Sequence, residues 1–168
     1  MKGFLLLILM VCLCKTGFGQ KYYYKPEHST ALDTINGRKL LKQCSRSAPE
    51  NVKMIFVVTP KEKMLLEKNF KKILRLRDTS LVFGKNKWKR APKIRALDSM
   101  LFQYTGVVID GRKYIYINAI AYNAEELKDS YKDWQTNAII ICDGGESFWG
   151  ALFDINSKSF SQLSLNGP

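Results

Sequence analysis

Two stretches in the second half of the chain are apolar on both of their faces. Residues 148–153 alternate Phe148, Gly150 and Leu152 with Trp149, Ala151 and Phe153, and neither set carries a charge. Residues 113–122 alternate Ile115, Ile117, Ala119 and Ala121 with Tyr114, Tyr116, Asn118, Ile120 and Tyr122. A strand with two apolar faces belongs inside a sheet that is covered on both sides. Residues 101–109 precede Asp110-Gly111, a strong hairpin dipeptide, so they pair with residues 113–122. Further strands are expected at residues 53–58, at 138–142 (AIIIC) and at 159–165.

Helices are fewer. Thr59 as N-cap, Pro60 at N1 and Glu62 at N3 make a capping box with a proline start. Leu66, Phe70, Ile73 and Leu74 follow at helical spacing, and Lys61, Lys68, Lys72 and Arg75 fall on the opposite side. Asp33 or Thr34 caps a shorter helix running to about Arg46, with Ile35, Leu40, Leu41 and Cys44 near one face and Gly37 weakening its first turn. A third short helix is expected over residues 124–134. Residues 78–100 lack periodicity and read as a long loop. The expected architecture is α+β: one domain with a mainly antiparallel sheet of five or six strands and an amphipathic helix packed across it.

The chain opens with features of an export signal. Met1-Lys2 is followed by an apolar run over residues 4–13, and Gly17 and Gly19 stand at −3 and −1 of a cut before Gln20. Residues 1–19 therefore read as a signal peptide, 20–32 as a polar and aromatic N-terminal arm, and 33–168 as the domain. The mature protein is expected in a periplasm or outside the cell. No later stretch approaches the ~18 apolar residues that a membrane span needs. The mature chain keeps Cys44 and Cys142, and an exported protein with two cysteines points to one disulfide, the plain alternative being two buried free thiols. Two distant cysteines and the lone His28 are too few ligands for a metal site, and no cofactor motif is present.

Charge is distributed unevenly within a net +12. Residues 61–95 hold thirteen Lys and Arg against Glu62, Glu67 and Asp78, whereas residues 96–168 hold five against nine acids. Such a polarity orients a molecule toward polyanions or an anionic envelope surface.

Three segments resemble stretches of small exported proteins of Bacteroidota that have no assigned activity: INGRKLLKQCSRSAP (35–49), FQYTGVVIDGRKYIYINA (102–119) and CDGGESFWGALFD (142–154). The resemblance spans most of residues 35–166. It implies one family-wide domain and export, and it implies no reaction.

Chemistry has three candidate seats. Asp143 and Glu146 flank Gly144-Gly145 at a turn, where paired carboxylates can act as acid and base; a tight turn that uses glycines and an Asp–backbone bond explains the same residues. The tyrosine face of residues 113–122 can stack sugars or bases, or simply pack under cover. On it Asn118 needs hydrogen-bond partners, which makes it a structural pin or a pocket residue. Lys85, Lys87, Lys89 and Arg90 surround Trp88, a composition suited to phosphates and stacked bases or to anionic glycans, and equally to a solvated loop. No P-loop or nucleophile elbow is present. The leading expectation is a non-enzymatic exported binding module for an envelope polyanion, glycan or protein partner, with Lys85, Lys87, Trp88, Lys89, Arg90, Asn118 and Trp149 as its contact residues. The rivals are a hydrolase-like enzyme using Asp143 and Glu146, beside Trp149, and a structural envelope protein.

Overall fold

Six strands form one sheet, in a computed structural model that describes residues 23–78, 93–94 and 96–167. The elements run β1 (His28–Ala31), α1 (Thr34–Leu40), β2 (Val52–Phe56), α2 (Pro60–Asn69), a 3-10 segment (Phe70–Arg75), β3 (Met100–Ile109), β4 (Arg112–Ala121), α3 (Ala124–Lys128), a 3-10 turn (Gly145–Ser147), β5 (Phe148–Asp154) and β6 (Ser159–Leu165). The strands β3, β4, β5 and β6 are neighbours in that order and antiparallel. The remaining edge of β3 is shared by two strands placed end to end. β1 pairs in parallel with Leu101 to Tyr104, and β2 pairs antiparallel with Gly106 to Ile109. The chain is thus an α+β domain with a mainly antiparallel sheet.

The hairpin between β3 and β4 forms where Asp110-Gly111 placed it. Both residues take positive φ, 48° and 75°, as the right-handed strand twist requires of a two-residue turn. The capping box also forms. Thr59 Oγ1 accepts from the Glu62 N–H, and the Glu62 carboxylate accepts from the Thr59 N–H at 2.9 Å. Its helix tightens to 3-10 geometry at Phe70, and Leu66, Phe70 and Ile73 are fully buried.

Both faces of the sheet are covered, by different means. One carries the larger core. Phe102, Ile115, Ile117, Trp149, Ala151 and Phe153 pack there against Leu66, Phe70 and Ile73, with edge-to-face contacts Phe70–Phe102 and Phe102–Trp149 at 4.8 and 5.9 Å between ring centres. The other face has a smaller core of Leu32, Leu40, Val107, Tyr116 and Leu152, plus buried polar side chains. Here α1 lies close. A Cβ on Gly37 would collide with Thr105 Oγ1. Gly37, expected only to weaken a helical turn, is therefore what lets α1 touch the sheet.

Three expectations are corrected. Residues 138–142 are not a ladder strand: among the described residues they have no backbone strand partner. The helix after β4 stops at Lys128 and continues as turns. The first helix ends at Leu40, and Ile35 points outward, 68% exposed. In addition, part of the segment read as an N-terminal arm supplies β1. That strand is tied on both faces, since Ser29 Oγ donates to the buried Glu67 carboxylate (2.9 Å) and Thr30 Oγ1 to the Gln135 carbonyl (3.0 Å).

Candidate functional site

The polar side chains of the second face form one connected clamp. Asn118, on the central strand β4, is 1% exposed. Its Nδ2 donates to Gln103 Oε1 (3.2 Å) and to the Ile139 carbonyl (3.0 Å). Gln103, opposite it on β3, donates to the carbonyls of Trp134 and Asn137, both at 2.7 Å, and accepts from the Ile139 N–H at 2.9 Å. Gln43 Nε2 reaches the same Ile139 carbonyl (3.3 Å), and Asn166 Nδ2 reaches the Ile141 carbonyl (2.8 Å). Side-chain amides thus take the place of a neighbouring strand for residues 134–141. That is why the AIIIC stretch is held firmly and still pairs with no ladder.

Arg46 closes the clamp. It is buried, and its guanidinium donates to Asn118 Oδ1, to Asn166 Oδ1 (2.8 Å) and to the Tyr116 hydroxyl (3.3 Å). These partners are neutral. Gly150 faces Asn118 across β4–β5 and leaves room for the arginine, since a Cβ there would stand 2.5 Å from the Tyr116 hydroxyl and 3.0 Å from Arg46 Nε. The disulfide Cys44–Cys142 fastens the same region, with Cα atoms 5.3 Å apart and both cysteines exposed.

Among the described residues, open grooves lie beside this region and at the margin of the larger core. One, of about 320 Å³, is lined by residues 130–134 on one side and 137–141 on the other, with Tyr131 and Trp134 among them. Trp134 stacks edge-on with His28, which contacts Tyr122: Nδ1 lies 2.8 Å from the Tyr122 hydroxyl. The other, of about 300 Å³, is lined by Lys93, Asp98, Glu146 and Trp149 together with apolar residues.

The sequence-derived candidates are dispersed. Asp143 sits at φ +64°, its N–H donates to Ser45 Oγ (2.8 Å), and its carboxylate accepts from the same hydroxyl (3.3 Å). It does not line the groove that holds Glu146. Trp149 is 1% exposed in the larger core. Lys85, Lys87, Trp88, Lys89 and Arg90 lie outside the described residues. Of the tyrosine face, Tyr116 is buried and Tyr114 and Tyr122 are half-buried. Sequence reasoning missed Gln103, Arg46, Gln43 and Asn166; only the placement of Gln103 inside an otherwise apolar strand, LFQYTGVVI, gave a signal.

The cationic side of α2 is where the helical spacing put it. Lys61, Lys68, Lys71, Lys72 and Arg75 are all exposed. On the buried side, Tyr24 donates to the Leu97 carbonyl at 2.7 Å, and burial, followed by the Asp98 charge, pushes its hydroxyl up to about 12. Among the described residues no three His, Cys, Asp or Glu side chains group to hold a metal ion, and no helix is long and apolar enough to cross a membrane. Comparison of the chain with known protein families, with characterised proteins and with solved structures finds no match.

Proposed function

We propose that the chain is an exported, non-enzymatic binding module for a linear polyanion, such as an anionic glycan or a nucleic acid. The observation that carries this is the outer side of α2 and its 3-10 extension, where Lys61, Lys68, Lys71, Lys72 and Arg75 are exposed together. Five of the thirteen cations of residues 61–95 are thus presented to solvent by this helical layer. Rows of cations bind polyanions by releasing condensed counterions, and that binding weakens as salt rises. The disulfide fits an oxidising compartment, and the amino-terminal signal pattern supplies the route. Export itself is tested by amino-terminal sequencing of the protein recovered outside the cytoplasm, which should begin near Gln20.

The test is retention on heparin and single-stranded DNA across a salt series. A variant with Lys61, Lys68, Lys71, Lys72 and Arg75 all changed to Gln should bind weakly, and its log–log salt slope should be shallower by up to about 3.5, at ~0.7 per phosphate lost on a single strand. A second variant neutralises Lys85, Lys87, Lys89 and Arg90. A slope that is unaltered in the first variant and flattened in the second moves the site to the loop. Unaltered binding in both ends the polyanion reading.

A further inference from the structure

The geometry points to residues 138–142 as a docking edge for an extended polypeptide strand that carries basic side chains. The segment is bonded along one edge only. Its inward groups are the N–H and carbonyl of Ile139 and the carbonyl of Ile141, taken by Gln103, Asn118, Gln43 and Asn166. Inward groups at alternate residues are the pattern of an extended chain, in which the backbone groups of the residues between point the other way. Those belong to Ala138, Ile140 and Cys142, and none of them makes a hydrogen bond among the described residues. An edge of this kind is a template for another strand.

The surroundings fit such an occupant. The 320 Å³ groove runs between this segment and residues 130–134. Ile140, 41% exposed, offers an apolar contact beside the bare backbone. Asp133 and Lys132 line the groove, exposed Asp129 directly precedes its 130–134 wall, and exposed Asp143 directly follows the segment. An acidic rim of this kind selects a strand with cationic side chains and repels an acidic one. The amide clamp and the disulfide hold the receiving edge in place beforehand, which lowers the ordering cost of binding.

This site differs from the polyanion surface in chemistry and in residues, so the two readings fail separately. The probe is a short capped peptide of alternating Lys and Val, labelled for fluorescence anisotropy, alongside the same peptide N-methylated at alternate residues. The unmethylated peptide should bind saturably and slow amide exchange at Ile140 and Cys142. The methylated peptide, equal in charge but unable to donate, should bind about tenfold more weakly, the cost of leaving one or two backbone groups unpaired. Ile140→Pro removes an outward N–H and none of the inward ones, and should weaken the unmethylated peptide similarly. The five-fold Gln variant of the helix should bind it as the parent does. Equal binding of the two peptides, unchanged exchange at Ile140 with peptide bound, or no binding at all overturns the proposal. So does concentration-dependent protection of Ile140 without peptide, which would make a second copy of the chain the occupant.

Discussion

Arg46 is a cation withdrawn from water and satisfied by three neutral oxygens, two from β4 and one from Asn166 near the carboxyl end. Burying a charge without an opposite one is expensive, and truncating a partner leaves that cost unrelieved. Asn118→Ala removes an acceptor from Arg46 and donors from Gln103 and Ile139, so it should cost about 3 kcal/mol, read as a lower urea midpoint at unchanged slope. Arg46→Met, which removes the charge together with its need for partners, should cost less than Asn118→Ala. The reverse order would mean that the arginine contributes net stability. Gly150→Ala puts a methyl group against Tyr116 and Arg46 and should cost about 1–3 kcal/mol by overpacking. At this scale the sequence disclosed only part of the clamp. Asn118 stood out because an amide on a two-faced apolar strand must find partners. Arg46 lies 72 positions from Asn118 and 120 from Asn166, and nothing local to a basic CSRSAP stretch announces such distant neighbours.

Elements whose signals are local formed as read. The capping box needs only Thr59, Pro60 and Glu62, and the hairpin only Asp110-Gly111 between apolar runs. Thr59→Ala should lower stability by about 1 kcal/mol in urea unfolding. The AIIIC segment shows the opposite case: its composition is that of a buried strand, but its neighbours are side-chain amides, which no periodicity encodes. β1 was missed because HSTA is four residues long and has no apolar alternation. The β5–β6 turn adds a prediction in pH. Burial raises the Asp154 carboxyl, but the N–H groups of Ser157 and Asn156 and the Arg112 guanidinium, 2.6 Å away, outweigh it and hold the group below its ordinary value of 3.8. A depressed carboxyl contributes stability above its unfolded pKa and loses it as pH falls through the folded one. Urea midpoints should therefore drop as pH goes below about 4, and Asp154→Asn should flatten that part of the profile.

Charge is uneven along the whole chain: exposed cations gather on α2 and its 3-10 extension, and carboxylates outnumber cations over residues 125–143. Long-range charge of this kind sets approach and orientation rather than fold. A cation-exchange resin should retain the protein at low salt, and the five-fold Gln variant, its net charge cut from +12 to +7, should elute from it at lower salt. The fold class was legible because two-faced strands dictate a covered interior, whatever covers it. The identity of the second cover was not, since it is irregular chain pinned by polar groups. The disulfide, finally, spans 98 positions and encloses β2, α2, β3 and β4 while leaving β1, β5 and β6 outside the covalent ring. Under tension applied at the two ends, force passes from residue 44 directly to residue 142. The enclosed chain, roughly 330 Å when drawn out at ~3.4 Å per residue, stays slack. A single molecule pulled in an optical trap should therefore lengthen by that much more with the bridge reduced than with it intact, and β3 and β4, though loaded through their pairing with β1 and β5, cannot be drawn out until a thiol cuts the ring.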